Sequence, residues 1–94
     1  MTLVPVDAVE WLKAEDDYVL IRAAGRSHLK HETLAELAAR LPADRFVRVH
    51  RSWVVNAARI ASLEEGKTAS MEGGERVPVS RAGAVRLRGL LPKG

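Results

Sequence analysis

The chain has 94 residues, no cysteine and 47% apolar residues, which is typical of one small domain spanning residues 1–94. Without cysteine it has no disulfide framework, no thiol nucleophile and no cysteine-ligated zinc or iron-sulfur site. Apolar runs such as Trp53–Val55 are far shorter than the roughly 20 residues that span a bilayer, so we predict no membrane segment. Residues 1–9 have no basic start and no long apolar stretch, and we therefore expect no secretory signal and a cytoplasmic location.

The formal net charge of +3 is small, but the charge is polarised along the chain. Residues 1–44 contain five basic and eight acidic side chains, a net of −3, whereas residues 45–94 contain ten basic and four acidic, a net of +6. Eleven of the fifteen basic residues are arginine, whose planar fork suits phosphates and base edges. The pattern favours a nucleic-acid partner, and on composition alone an arginine-rich solvated surface is the alternative.

Short strands dominate the predicted secondary structure. Apolar alternation and β-branched or aromatic runs predict strands at residues 9–13, 18–23, 27–31, 46–49, 53–55, 60–63, 68–71 and 76–79. Turn signals separate them, including the acidic cluster Glu15–Asp17 and the glycine-containing segments Glu64–Lys67 and Glu72–Glu75. This spacing predicts a mainly β (α+β) domain with mostly antiparallel strands.

One short helix is clear from the sequence. Thr33 and Glu36 have the spacing of a capping box, and apolar residues recur at i, i+3, i+4 and i+7 across residues 34–41. Pro42 ends the run. The sequence therefore predicts a helix with one apolar face packed on the sheet.

The structure after Ser80 stays open. Ser80 is able to N-cap a short helix containing Val85, whereas Gly83 and Gly89 weaken a helix. Residues 90–94 are predicted to form a loose tail.

The polar tripeptide His50–Ser52 is the most unusual local feature. It separates two strongly β-forming runs, in a position where loops carry function while the flanking strands stay packed.

Enzyme and metal motifs are missing from the sequence. His50 and Ser52 are candidates for a hydrolytic triad, but no nucleophile elbow, phosphate loop, dinucleotide fingerprint or zinc-protease motif is present. His28 and His31 lie three apart on a predicted strand and would point to opposite faces. We therefore predict no catalytic activity, no metal site and no cofactor.

Two motifs carry a family resemblance. Residues 46–56, Phe-Val-Arg-Val-His-Arg-Ser-Trp-Val-Val-Asn, followed by Val77–Arg81, resemble the LytTR (LytR/AlgR-type) DNA-binding domain of bacterial transcription regulators. Residues 9–19 resemble that family's first strand, loop and second strand, and residues 34–41 resemble its short helix. The resemblance covers nearly the whole chain.

The resemblance implies an elongated, mostly β fold of about ten strands with small helices. It also implies that loops, rather than a recognition helix, enter successive major grooves on one face of bent DNA. Carried over by position, the contacting regions are Asp16–Tyr18, His50–Ser52 and Ser80–Ala82.

Arg51 and Arg81 are the first candidates for base contacts. Each is able to fork onto the O6 and N7 acceptors of guanine, a contact worth roughly 1–3 kcal/mol of discrimination. The alternative for each is a surface arginine or one paired with a carboxylate. The first loop is acidic and would repel phosphates, so contact there is expected through Tyr18, or through Asp17 accepting from the amino group of cytosine.

Candidates for phosphate contact are His50, Ser52, Ser80 and Arg48. For His50 the alternative is holding the loop in shape, and for the two serines it is a local cap or strand-end hydrogen bond. Asn56 is predicted to be structural, closing the end of a strand. Trp11 and Trp53 are predicted to lie in the core.

The expected partner is double-stranded DNA, and the resemblance implies two copies bound to paired direct repeats. It also implies an N-terminal receiver or sensor domain, as in the output domain of a two-component response regulator. We expect the chain to be a stand-alone regulator or an excised C-terminal fragment. The alternative function is a non-catalytic interaction module that docks an acidic protein through the basic half.

Overall fold

The computed structural model describes residues 5–90. Its eight strands are β1 (Val9–Glu15), β2 (Tyr18–Ala23), β3 (Arg26–Lys30), β4 (Phe46–His50), β5 (Trp53–Asn56), β6 (Ile60–Glu64), β7 (Thr68–Met71) and β8 (Arg76–Pro78). The helices are α1 (Leu34–Ala38) and α2 (Arg81–Leu90), and single 3-10 turns lie at Val6–Ala8 and Ala57–Arg59.

The strands form two antiparallel sheets. The first has the order β3-β2-β1-β5-β4, and the second has the order β6-β7-β8. The molecule extends 40 × 22 × 22 Å, so the predicted elongated, mainly antiparallel β fold is confirmed. The resemblance implied about ten strands, and the described part of the chain contains eight.

Strand register places two hairpin turns at one end of the five-stranded sheet. Glu15 pairs with Tyr18 across the β1–β2 turn, and His50 pairs with Trp53 across the β4–β5 turn. Trp53 also pairs with Lys13 of β1, so both turns lie side by side. We call this the loop end of the sheet. The β2–β3 turn, between Ala23 and Arg26, lies at the opposite end.

The five-stranded sheet has a hydrophobic core on each face. On one face α1 packs Leu34 and Leu37 against a buried cluster formed by Val9, Leu12, Val19, Ala23, Phe46 and Val54. On the other face α2 and the small sheet cover Val47, Val49 and Val55 together with both tryptophans. The rings of Trp11 and Trp53 are buried with their centroids 5.2 Å apart, which confirms their predicted place in the core.

The predicted capping box begins α1. Thr33 Oγ1 accepts from the Glu36 amide at 3.1 Å, and the Glu36 carboxylate accepts from the Thr33 amide at 3.2 Å. The helix ends at Ala38, three residues before the predicted end at Leu41, and i to i+3 hydrogen bonds continue the chain to that residue. Pro42 accounts for this change from α-helical to i to i+3 hydrogen bonds, because the residue before a proline disfavours α-helical geometry.

The segment left open by the sequence forms α2, and Ser80 is its N-cap, since Ser80 Oγ accepts from the Gly83 amide at 3.0 Å. Gly83 does not prevent the helix, because packing requires it. A Cβ at this position would lie 2.0 Å from the carbonyl oxygen of Val49. Glycine therefore allows α2 to approach the backbone of β4. Of the predicted loose tail, Leu90 ends α2 and residues 91–94 lie outside the described residues.

Asn56 has the structural role that the sequence predicted. Its side chain is 2% exposed and donates to the carbonyl of Val9 at 2.9 Å. Its Oδ1 accepts from the Ala58 amide at 3.0 Å, so one side chain caps the turn after β5 and ties it to β1. Within residues 5–90, no helix is both long and apolar enough to cross a membrane.

Candidate nucleic-acid interface

Backbone hydrogen bonds join the three predicted contact regions. The Ala14 amide, near the end of β1, donates to the carbonyl of Ser52 at 2.8 Å. The Ser80 amide, just before α2, donates to the carbonyl of Val49 at 2.7 Å. The first loop, the β4–β5 loop and the start of α2 therefore meet at the loop end, although they are far apart in sequence.

The β4–β5 loop is held in shape by its own polar groups. The Ser52 amide donates to Nδ1 of His50 at 3.1 Å, so a neutral His50 carries its proton on Nε2. Arg48 donates from Nη2 to the carbonyl of Arg51 at 2.6 Å, and Arg86 of α2 donates to the carbonyl of Arg48 at 3.1 Å. These bonds order the loop backbone while the Arg51 side chain remains exposed. Such order lowers the entropy lost when a loop binds.

A groove is lined both by the first loop and by arginines of β4 and the β4–β5 loop. Its walls include Asp16, Asp17 and Tyr18 on one side and Arg48 and Arg51 on another, and residues 31–36 complete it. Tyr18 is 47% exposed, and its ring lies 5.2 Å from the ring of His31 in a tilted arrangement. The predicted residues Asp17, Tyr18, Arg48 and Arg51 therefore share one concave surface.

Glu32, which also lines this groove, lies beside two cations. Burial alone would raise the pKa of Glu32, but hydrogen bonds and charges from Arg40 and Lys30 outweigh it and lower the pKa. The groove brings acidic side chains and arginines together, and such a mixture suits hydrogen bonding to base edges better than contact with a continuous row of phosphates.

Arg81 lies on a different concave surface from Arg51. It shares that surface with Lys67 of the β6–β7 turn and with Val85 and Arg88 of α2. The Ser80 hydroxyl, which accepts from the Gly83 amide, keeps its own proton for another acceptor. The two arginines ranked first from the sequence thus flank the end of β4 on separate surfaces.

The described residues include eleven arginines, of which four are ion-paired and seven, including Arg22 and Arg26 of the β2–β3 hairpin, are not. Four are within 4.0 Å of a carboxylate, and we call them the paired arginines: Arg40 with Glu32, Arg45 with Asp7, Arg59 with Glu72 and Arg76 with Glu64. Among residues 5–90, no carboxylate pairs with Arg48, Arg51 or Arg81, which we call the loop-end arginines. The carboxylate-paired alternative for Arg51 and Arg81 therefore finds no support in the described residues.

Three further residues at this end were missed by sequence reasoning. Arg86 supports the β4–β5 loop, and Arg88 and Lys67 line the surface that holds Arg81. Arg81 and Arg88 have the i, i+7 spacing of one helical face, but that signal required α2 to be predicted first. Within the described part of the chain, no group of three or more His, Asp or Glu side chains is arranged to hold a metal ion.

An antiparallel β domain that presents arginines free of carboxylates on ordered loops has the chemistry of a nucleic-acid-binding module. The profile of the LytTr DNA-binding domain family matches residues 1–92, and the chain belongs to this family. A solved LytTr DNA-binding domain from Bacillus cereus matches with a TM-score of 0.80 and 36% identity, covering 93% of this chain and 84% of that one.

Two curated relatives are longer than this chain. The chain is 39% identical over 88 residues to the CO-responsive transcriptional regulator RcoM of Rhodospirillum rubrum, covering 88% of this chain and 37% of the relative. It is 30% identical over 95 residues to the sensory transduction protein LytT of Bacillus anthracis, covering 97% of this chain and 39% of the relative. The chain thus spans about two fifths of the length of these relatives.

Proposed function

We propose that this domain binds duplex DNA sequence-specifically, with the first loop, the β4–β5 loop and the start of α2 entering successive major grooves, and that this binding serves transcription regulation. The observation that carries the proposal is the meeting of these three regions at the loop end, where the loop-end arginines have no carboxylate partner among residues 5–90.

In this proposal Arg51 and Arg81 contact bases. Both side chains are exposed, and each is anchored to an ordered backbone, Arg51 in the β4–β5 loop and Arg81 in the first turn of α2. A guanidinium on such a support is able to donate two parallel hydrogen bonds to guanine, worth roughly 1–3 kcal/mol of discrimination. Their separate surfaces suit two different groove positions.

Phosphate contacts come from groups that retain a free donor. His50 has Nε2–H available because Nδ1 accepts from Ser52, and Arg48 has further N–H groups beyond the one that reaches Arg51. The hydroxyls of Ser52 and Ser80 add neutral donors. Local structural bonds and DNA contacts are compatible at these residues, since different atoms make them.

The first loop contributes through Tyr18 and Asp17 rather than through positive charge. The exposed phenol of Tyr18 is a donor at the edge of the groove, and the carboxylate of Asp17 is an acceptor for the amino group of cytosine. Asp16 in the same turn has a φ of 52°, a conformation that Asp tolerates better than most residues.

Selection from a random duplex pool, followed by affinity measurements on the selected and a scrambled duplex, tests this proposal. Arg51→Ala and Arg81→Ala should each reduce the preference for the selected duplex by about 1–3 kcal/mol, roughly 5- to 150-fold. Arg26→Ala is the matched control, because this exposed arginine begins β3, directly after the hairpin turn at the opposite end of the sheet. The proposal fails if no duplex is enriched, or if Arg26→Ala relaxes the preference as much as the other two variants.

The family context extends the proposal to two copies bound on paired direct repeats and to an N-terminal receiver or sensor domain in a cytoplasmic regulator. Footprinting of the selected duplex should show two protected segments of the same orientation, and the bound protein-to-duplex ratio should be two. A single protected segment with a ratio of one would contradict the paired arrangement. Capture of an acidic protein that survives nuclease treatment, with no enriched duplex, would instead support the interaction-module alternative.

A further inference from the structure

The surface beside Arg81 carries two further basic residues. Lys67 and Arg88 are exposed and line the same concavity as Arg81, and among residues 5–90 none of the three pairs with a carboxylate. Glu65 is the one acid lining it, so positive charge exceeds negative there by two.

The backbone fixes these side chains relative to each other. The Val79 amide, two residues before Arg81, donates to the carbonyl of Lys67 at 2.8 Å, which holds the β6–β7 turn against the start of α2. The guanidinium of Arg88 lies beside this turn, because a Cβ built on Gly66 would lie 3.1 Å from its Nη2. The turn therefore runs alongside the helix face that carries both arginines.

The spacing on that face matches a nucleic-acid strand. Arg81 and Arg88 are seven residues apart on α2, which corresponds to a rise of about 10 Å along the helix. Along B-DNA one strand presents a phosphate about every 3.4 Å of axis, so the two backbone positions are separated by a length that corresponds to roughly three phosphates. Val85 lies between them and is 68% exposed, an apolar contact suited to a deoxyribose.

We infer that Lys67 and Arg88 bind the DNA backbone, forming a phosphate-binding track that extends from the base-contacting Arg81 along α2 and the β6–β7 turn. This inference rests on the proposed function, and it adds residues that contribute to affinity without contributing to sequence preference. The two side chains lie outside the three regions that the family resemblance indicated.

The salt dependence of affinity on the selected duplex measures this track. Each lost phosphate contact should lower the slope of log affinity against log salt by about 0.9 and weaken binding roughly 5- to 10-fold near 0.1 M salt. Lys67→Ala and Arg88→Ala should each show this loss, and the double variant should lose about twice the slope. The ratio of affinities for selected and scrambled duplexes should not change.

Arg22→Ala/Arg26→Ala is the matched control, because it removes two positive charges from the β2–β3 hairpin. The inference is overturned if the double variant of Lys67 and Arg88 has the same salt-dependence slope as the control. It is also overturned if that variant changes the preference for the selected duplex. If Arg51→Ala still relaxes the preference in that case, the proposed function stands without the track. Loss of any enriched duplex for the unmodified protein would instead defeat the proposed function. Lys67 and Arg88 are both exposed, and thermal unfolding checks that their variants fold.

Discussion

The paired arginines and the loop-end arginines have the same side chain but different surroundings. Arg45, Arg59 and Arg76 connect distant segments by pairing with Asp7, Glu72 and Glu64. Arg51 and Arg81 extend from ordered backbone without a carboxylate partner in the described residues. The paired group stabilises the fold modestly, whereas the guanidinium groups of Arg51 and Arg81 have no carboxylate partner among residues 5–90 and so suit the proposed contact with DNA. Net charge alone does not distinguish the two groups.

The largest effect is expected where the loop end depends on close packing. Gly83→Ala should destabilise the domain by about 1–3 kcal/mol or more, because its Cβ would collide with the backbone of Val49 and push α2 away from β4. Urea unfolding measures the loss. Gly89→Ala is the control, since among residues 5–90 no atom outside its immediate neighbours and the backbone of its own helix lies within 4 Å of the added Cβ, and it should stabilise by up to about 1 kcal/mol. Equal effects of the two substitutions would show that α2 is not held by this approach.

Substituting one arginine from each group tests whether the two groups differ in function. Arg48→Ala should weaken binding to any duplex roughly 5- to 10-fold near 0.1 M salt if it contacts one phosphate. Arg59→Ala should leave DNA affinity unchanged and lower the free energy of unfolding by about 1 kcal/mol or less, because its ion pair with Glu72 is exposed. Fluorescence anisotropy and urea unfolding give the two readouts. If Arg59→Ala weakened DNA binding and Arg48→Ala did not, the paired and loop-end arginines would not differ in the way proposed.

Under the proposed function, removing an acid from the first loop should strengthen DNA binding. Asp16→Asn keeps a residue that tolerates the φ of 52° and removes a carboxylate that repels phosphates. We expect affinity for any duplex to rise by up to about fivefold, since two charges about 4 Å apart in water interact by about 1 kcal/mol. Glu75→Gln, an exposed acid in the β7–β8 turn, should change nothing. Weaker binding by the Asp16 variant would show that this carboxylate makes a favourable contact.

The smallest effect concerns a paired arginine and pH. The Ser70 hydroxyl and Arg76 bond to the carboxylate of Glu64 and lower its pKa. A lowered pKa in the folded state stabilises the fold above the ordinary Glu range, and this contribution is lost as pH falls through the lowered value. NMR titration should show the pKa of Glu64 rising toward its ordinary value in Arg76→Ala. An unchanged pKa would assign the shift to Ser70 alone.

Local patterns were sufficient to predict most of the secondary structure. Alternation placed the strands, and the Thr33 and Glu36 spacing predicted the cap of α1, because these signals depend on neighbouring residues. The structural role of Asn56 and the burial of both tryptophans were predicted on the same basis and are confirmed.

Features that depend on long-range packing were not predictable. From the sequence, Gly83 indicated a weak helix. Its role becomes clear only from the structure, where the backbone of Val49 leaves no room for a Cβ. The pairing of Arg45 with Asp7 crosses 38 positions, so the sequence could not show which arginines are neutralised. The assignment of contact residues came from the family motif, and their roles at the DNA remain predictions.

Amide NMR shifts recorded while the selected duplex is titrated into the labelled domain test the central claim most directly, because they map the bound surface residue by residue. We expect the largest shifts at residues 15–18, 50–52 and 80–82, with smaller shifts at Lys67 and Arg88. The β2–β3 turn at Ala24–Arg26 should not shift. Largest shifts at that turn, with the loop end unchanged, would contradict the account.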